Sequence, residues 1–573
     1  MRASRVRSRL AAIVGGATAA ALACVAGRAH AGGFELPDNG AQALGRGATF
    51  VAKADDGTAI QYNPAGLARQ RGTRLYAGGN LYLHSFEFQR AGSFPDDPND
   101  TNTPWGQKPF PVVNNSAGPF FTPFLAASTD FASLDRLTVA VGLFTPSSIG
   151  NRTFPLAIRN APAASRYDFI QSRSSIIYPT ASFAYRVTPW LDLGLSAHLI
   201  LAKFDQTTVS YADLGQCPNV EYQPCDSRGT LVATATSFAG TIGALVRPSA
   251  NFAFGLSVRT PASLSADGVF TPEAPKIAMV QIQPGAATLT TRLPLVVRGG
   301  ARYIQMDGDF EVYDLELDGT YEGWAAAQGD GPRIKIPDLG TFKNIDSLVV
   351  HGYSDTFSVR LGGAYNIEAF DGIFTLRAGG YFDTSATSSF TYTRLDFDTL
   401  AKVAGTLGFG YRRGAIGVDL GYAAAASIPR LVGTGQGDVR PINGSQGGKP
   451  VDNNGTLLPA VNEGAYRGFT NIFSLGLTVT FDELFGAPRP FHYGNTYERG
   501  YVPPGEEKAE KEKEKKEAEK PSEEPKKEKE AEKPAEKPAE EPKKVEKKPE
   551  KKPPPKPDRV PEKKKEWWED LDN

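Results

Sequence analysis

The chain has 573 residues, with 63 Lys and Arg balanced by 64 Asp and Glu, and it is rich in Gly (60), Phe (33) and Tyr (21). A formal net charge of -1 lacks the basic excess that nucleic-acid binding requires. Beyond the extreme N-terminus there is no run of about 18 apolar residues, which excludes helical membrane spans from the mature chain.

Residues 1–31 carry Arg2, Arg5, Arg7 and Arg9, then an apolar stretch over residues 10–26, then Ala29-His30-Ala31. That order reads as a secretory signal peptide with a small-x-small cleavage site, so the mature chain is expected to begin at Gly32. A lipoprotein signal on Cys24 is the weaker alternative, because Leu22 stands one residue too close to it. Residues 32–72 precede the first strand-like segment. Within them Asn63 can cap a short helix that has Pro64 at its first position, a common local arrangement.

Between residues 73 and 482 the pattern is all-β. Fourteen segments have strand character, at 74–88, 119–128, 136–145, 174–187, 190–204, 229–247, 251–263, 288–306, 309–324, 352–367, 372–385, 402–412, 415–426 and 466–481. Alternation is clearest where Leu191, Leu193, Leu195, Ala197, Leu199 and Leu201 face away from Asp192, Gly194, Ser196 and His198, and again from Phe473 to Phe481. Links after even-numbered segments are short and links after odd-numbered ones are long. An even strand count with short periplasmic turns and long outer loops describes a fourteen-stranded antiparallel transmembrane β-barrel. A soluble sandwich or β-helix would not produce that asymmetry.

Two cysteines remain after signal cleavage, Cys217 and Cys225, and an exported chain with an even count invites a disulfide within one loop. The five histidines are scattered, and no Cys/His/Asp cluster has metal-ligand spacing, so neither a metal nor a cofactor is expected. From residue 483 the chain is expected to be a periplasmic tail. Its Lys/Glu/Pro-dominated part, residues 506–572, cannot bury enough apolar surface to fold.

The blocks Gly33-Phe34-Glu35-Leu36, Leu44-Gly45-Arg46, Ala54-Asp55-Asp56 and Asn63-Pro64-Ala65-Gly66-Leu67 together resemble the hatch of FadL/TodX-type outer-membrane transporters. Later stretches agree: Leu293-Pro294, Arg298-Gly299-Gly300, residues 321–324, residues 355–362 with Tyr365, and residues 377–383. The resemblance implies a barrel closed by a small N-terminal hatch plug over residues 32–72. It implies uptake of long-chain fatty acids or aromatic hydrocarbons, a ligand site partly made by Phe34 and the Asn63-Pro64-Ala65 hatch, and lateral release at a kink in the third strand. Gly142 is the candidate kink, although an isolated strand glycine is more often a packing choice. Phe34 could instead pack statically against the wall. The disulfide-bearing loop and the long tail depart from the family pattern, which leaves the substrate open.

Strand parity places Arg298, Arg302, Asp314, Glu316, Asp318, Arg360, Arg377 and Asp383 in the lumen. These charges either dock the hatch as a structural network or include an arginine for a substrate's polar head. No Ser/His/Asp constellation can be assembled, so an enzyme is not expected, and a barrel lipase is the lesser alternative. A third reading is an envelope tether acting through the tail. Expected partners are a hydrophobic small molecule, outer-membrane lipid and lipopolysaccharide, the barrel assembly machinery and a periplasmic partner for the tail. The assembly machinery is suggested by Ser474-x-Gly476-x-x-Val479-x-Phe481, which resembles a terminal barrel signal.

Overall fold

The computed structural model describes residues 39–131, 136–145, 151–278, 280–329, 331–340, 342–387, 390–397, 400–441, 451 and 455–481. Phe34, the proposed signal peptide and the tail from 482 onward lie outside the described residues.

Fourteen antiparallel strands form the wall. They are β1 (Arg74–Arg90), β2 (Phe120–Thr129), β3 (Leu137–Phe144), β4 (Ser175–Thr188), β5 (Leu191–Tyr211), β6 (Asp226–Ser249), β7 (Phe252–Arg259 and Ala262–Glu273) and β8 (Gly285–Leu293 and Val296–Asp307). The sheet continues through β9 (Phe310–Glu322), β10 (Thr356–Ala369), β11 (Gly372–Asp383), β12 (Lys402–Arg413), β13 (Ile416–Ser427) and β14 (Gly464–Thr480). It closes on itself where β1 pairs with β14, from Arg74 opposite Thr480 to Arg90 opposite Gly464. Closure leaves no sheet edge to be satisfied in hydrocarbon, which is the condition for crossing a bilayer with strands. No described helix is long and apolar enough to cross a membrane.

The strands form where side chains alternate between the two faces of the wall. Leu193, Leu195 and Leu201 of β5 are exposed on the outside while Asp192, Ser196 and His198 are buried inside. Leu475 and Leu477 of β14 are likewise outside, with Ser474 and Thr478 inside. Pro189-Trp190 joins β4 to β5 and Gly308-Asp309 joins β8 to β9, with Gly308 supplying the positive φ that so tight a turn needs. Exposed Phe131, Trp190, Phe252 and Phe370 ring this short-turn end, the position of an interfacial aromatic girdle.

Two segments expected as unbroken strands are interrupted. β7 breaks at Thr260-Pro261 and β8 at Pro294-Leu295, and the two breaks face each other, because Arg259 pairs with Val296 and Ala262 with Leu293. Proline cannot donate to a ladder. The inward parity switches at each break: β7 buries Ala253, Ser257 and Arg259 below it, then Ala262, Leu264 and Ala266 above it. Beyond the break β8 also pairs with a hairpin, Arg333–Leu339 and Phe342–Leu348, that the sequence reading missed. The wall therefore extends as a sheet past the membrane-length part of the barrel.

Candidate lumen site

Residues 39–72 are packed inside the barrel as short pieces: helix α1 (Ala41–Gly45), helix α2 (Ala59–Tyr62) and a 3-10 turn (Pro64–Arg69). Asn63 is extended, and its side-chain oxygen accepts from the Ala65 amide at 3.2 Å while its amide group donates to the carbonyls of Val51 (2.8 Å) and of Ala244 on β6 (3.0 Å). The Asn63-Pro64-Ala65 motif lies directly on wall glycines. A Cβ at Gly194 would come within 2.3 Å of the Pro64 carbonyl carbon, and one at Gly243 within 2.1 Å of the Asn63 side chain. A few polar residues thus seat the plug backbone against β5 and β6, helped by Ser196 donating to the Ile60 carbonyl and Ser257 to the Tyr62 carbonyl.

The opposite side of the seat is ionic. Arg46 of the plug meets Asp314 and Glu316 of β9, and Arg302 of β8 binds Asp314 at 2.6 Å and Glu311 at 2.5 Å. Asp318 accepts the amides of Phe50 (2.7 Å) and Val51 (3.1 Å), and Glu316 accepts that of Ala52 (2.7 Å). Three successive inward carboxylates of β9 therefore hold the plug by its arginine and by its backbone. Arg377 pairs with Asp419 and reaches Gln42 of the plug, whereas Arg360 pairs with Asp383 and lies over the Tyr381 ring. Arg298 is buried on β8, opposite Ser257 and Thr320. The structure thus brings Arg302, Asp314 and Glu316 together in one network with the plug, and Arg360 stands opposite Asp318 in the strand register. Arg46 and Glu311, which sequence reasoning did not single out as site residues, complete that network. Arg46 and its partner Asp314 are 268 residues apart, and no local pattern announces such a pair.

The lumen wall from β1 to β5 also holds the plug by an ion pair, Arg69 with Asp192 at 2.6 Å, but is otherwise mainly aromatic and aliphatic. Tyr76, Phe124, Phe144 and Tyr178, one from each of β1 to β4, form an aromatic ladder: Tyr76 meets Phe124 edge-on at 5.5 Å, Phe124 stacks on Phe144 at 6.3 Å, and Phe144 stacks on Tyr178 at 4.8 Å. His198 of β5 meets both Phe144 and Tyr178 edge-on, and its ring nitrogens bond Thr180 and Thr241. These rings belong to one apolar cluster that runs from Ile60 and Leu67 of the plug, through Ile200 and Phe204, to Leu264, Leu289 and Trp324 beyond the breaks in β7 and β8.

Among the described residues, strand pairing is also incomplete in this apolar wall. β2 pairs with β3 only from Leu125 opposite Leu143 to Thr129 opposite Val139, so among the described residues 120–124 are paired on the β1 side alone. β3 ends at Phe144, opposite Tyr178, and residues 175–177 of β4 pair only with β5. Asn39, where the described plug begins, donates to the carbonyl of Thr145 just past that strand end, at 3.1 Å. Gly142 lies inside the paired part of β3, opposite Ala126 and Thr180. A Cβ there would come within 2.7 Å of Ile60, so the glycine admits the plug, and the ladder stops two residues later.

At the long-loop end, Cys217 and Cys225 are joined in a disulfide with Cα atoms 6.2 Å apart. The bridge encloses Glu221, which is buried and accepts from both Arg90 and Arg166 at 2.7 Å. Arg166 also binds Asp226, and Tyr167 donates to the Val220 carbonyl at 2.6 Å. In a neighbouring loop contact Asp168 is buried against Arg394 at 3.1 Å and accepts the Leu395 amide. Burial raises the Asp168 carboxyl to about 6 in spite of the arginine. No group of three or more metal-ligating side chains occurs among the described residues.

Residues 22–428 match the model of a family described as outer membrane protein transport protein (OMPP1/FadL/TodX). The match ends before β14. No curated protein sequence matches the chain. Among solved structures, a Pseudomonas aeruginosa FadL homologue aligns with a TM-score of 0.60 at 15% identity, over 78% of this chain and 100% of its own. The Pseudomonas putida toluene transporter TodX aligns at 0.54 and 15%, over 78% and 99%, and the Ralstonia pickettii toluene transporter TbuX at 0.53 and 14%, over 78% and 99%. At these identities the likeness is one of fold.

Proposed function

This chain belongs to the OMPP1/FadL/TodX family of outer-membrane transport proteins, a Gram-negative outer-membrane β-barrel, and from that premise we propose that it takes up apolar small molecules and releases them sideways into the bilayer. The observation that carries the reading is the meeting of one continuous apolar cluster with the point at which, among the described residues, β2 and β4 lose their partner on the β3 side. A solute following the cluster arrives beside Phe124 and Phe144, at that incomplete seam. A route straight down is less suited to it. The seated plug blocks the way, and the small cleft at the short-turn end is lined by Asp55, Asp56, Arg74 and Arg412 among others.

Capture and release pull against each other. Burying ten methylenes is worth about 8 kcal/mol, roughly micromolar affinity before association costs, and a rigid pocket of that quality would empty slowly. A moving N-terminal segment resolves the conflict. Asn39 is bonded at the end of β3, so displacement of the residues before it, Phe34 included, would disturb the pocket and the gap together. TodX and TbuX are toluene transporters, and long-chain fatty acids or aromatic hydrocarbons are the substrate classes proposed here. The lumen carries no appeal as a lipase: His198 bonds two threonines and His84 bonds Thr470. A tether role for the tail, which on this reading lies in the periplasm, is compatible with transport and would survive its loss.

The test is uptake of toluene and oleate into proteoliposomes by wild type, F144A, and a chain lacking residues 32–36, each verified as a heat-modifiable barrel. Both changes are expected to slow uptake severalfold with the barrel intact. Unchanged uptake of both solutes in both variants would reject the gated route and favour the tether.

A further inference from the structure

The outward face of β5 to β8 turns more polar toward the long loops, although exposed Val232 and Val269 pair with each other beyond Thr234 and Asp267. On β5, exposed Leu193, Leu195 and Leu201 give way to Lys203; on β6, Phe238 gives way to Thr236 and Thr234. On β7, Leu256 gives way to Ser263 and Ser265 past the proline break, and on β8, Leu295 gives way to Arg292 and Thr290. Pairing registers show that the change forms belts around the wall. Lys203 faces Thr234, Thr234 faces Asp267, Asp267 faces Thr288, and Thr288 faces Lys335 of the hairpin, while one row nearer the membrane Thr290 faces Arg333.

Sheet spacings of about 4.8 Å between strands and about 7 Å between same-face neighbours put Arg333 roughly 8 Å from Arg292 and roughly 7 Å from Lys335, with Arg292 and Lys335 about 14 Å apart. The belt holds these three cations and Lys203 against Asp267, which accepts the Thr288 hydroxyl, and Asp346, which pairs with Arg333 at 3.0 Å. Lys203, Arg292 and Lys335 are exposed and make no ion pair among the described residues. A solvated charged face needs no such alignment. Here cations and a line of hydroxyls begin where the apolar belt ends, on four adjacent strands, at the long-loop end of the barrel.

We propose that this belt docks the phosphorylated glycolipid of the outer leaflet, lipopolysaccharide. Its phosphates would sit against Arg292, Arg333 and Lys335, its sugar hydroxyls along Ser263, Ser265 and Thr290, and its acyl chains on Phe254 and Leu256 below. Each element meets its chemical counterpart: cations and hydroxyl donors for phosphate oxygens, apolar wall for lipid. The paired proline breaks contribute by carrying the sheet past the membrane surface, so that the polar face continues from the apolar one. Because the belt lies on the outside of the wall, the inference stands independently of what passes through the lumen.

The full-length protein and an R292A/R333A/K335A variant, purified from outer membranes in mild detergent, would be compared by native mass spectrometry for retained lipopolysaccharide. Thermal stabilisation by added lipid A and by dephosphorylated lipid A would be measured alongside. The wild type is expected to retain the glycolipid and the variant about tenfold less or lower. Lipid A should stabilise the wild type and its dephosphorylated form should not. R413A, at the short-turn end, serves as the control and should behave as wild type. Equal retention by wild type and triple variant, or equal stabilisation by both lipids, would overturn the proposal. The lipid comparison on wild type decides the matter even if the triple variant fails to fold.

Discussion

The two sides of the lumen hold the same plug by a different balance of contacts. From β8 to β13 the contacts are buried ion pairs and carboxylate-to-amide hydrogen bonds, as at Arg46, Arg302, Asp314, Glu316 and Asp318. From β1 to β5 one buried ion pair, Arg69 of the plug with Asp192 of β5 at 2.6 Å, and the Arg186 bond to the Ala68 carbonyl give way to aromatic and aliphatic packing around Ile60, Phe124, Phe144 and Tyr178. Buried charge tolerates little displacement, because separating partners leaves each one desolvated. Apolar contact is non-directional and can be exchanged for contact with an apolar solute at small net cost. On the function proposed above, the more ionic side fixes the plug and the more apolar side lets a solute pass.

Removing the fixed side should have the largest effect. R46A leaves Asp314 and Glu316 buried without the plug's cation, and breaking such a pair costs about 3–5 kcal/mol. The expected result is a folded, heat-modifiable barrel with a mis-seated plug, seen as raised single-channel conductance to small ions. If R46A conducts no more than wild type, the ionic seat is not what holds the plug.

The loops above the lumen sharpen the comparison through pH. Asp168 is held at about 6 in the folded chain against an ordinary value of 3.8, so the folded state binds its proton more tightly. Its contribution to loop docking is therefore complete below about pH 4 and is lost as pH rises through about 6, a change on the order of 3 kcal/mol. Protection factors, taken relative to the intrinsic exchange rate at each pH, should be larger around residues 165–172 and 394–397 at pH 5 than at pH 7.5, and D168N should abolish the difference. Equal protection factors at both pH values in wild type would remove the effect.

A smaller loss is expected from C217S/C225S. Opening a loop of eight residues costs about 2.5 kcal/mol on the chain-entropy estimate. The strain should fall on the loop that presents Glu221 to Arg90 and Arg166, so ligand capture should weaken while the melting temperature of the barrel stays unchanged. A lowered barrel melting temperature with normal capture would reverse that assignment.

How much of this was legible depends on whether the signal is local. Strands such as β5 and β14 declare themselves because one face meets lipid and the other the lumen, which forces alternation in consecutive residues. The breaks in β7 and β8 were hidden although Pro261 and Pro294 were in view, since apolar residues continue on both sides and the change of parity shows only when lumen and lipid faces are known. The hairpin over residues 333–348 was missed because it faces water on one side and alternates weakly. The Asn63-Pro64-Ala65 motif could be read, but its purpose could not, because the glycines it rests on, Gly194 and Gly243, are far along the chain. The aromatic ladder takes one residue from each of four strands, so no stretch of sequence contains it.

The division into a fixed side and a passing side is tested most directly by hydrogen exchange on the barrel in lipid nanodiscs, with and without saturating toluene or oleate. The amides of Phe50, Val51 and Ala52, bonded to Asp318 and Glu316, should keep their protection when ligand is present, while residues 120–124 and the segment around Asn39 and Thr145 change theirs. Ligand-induced exposure of residues 50–52 with residues 120–124 unaltered would contradict the account and point to a plug that moves aside for passage down the lumen.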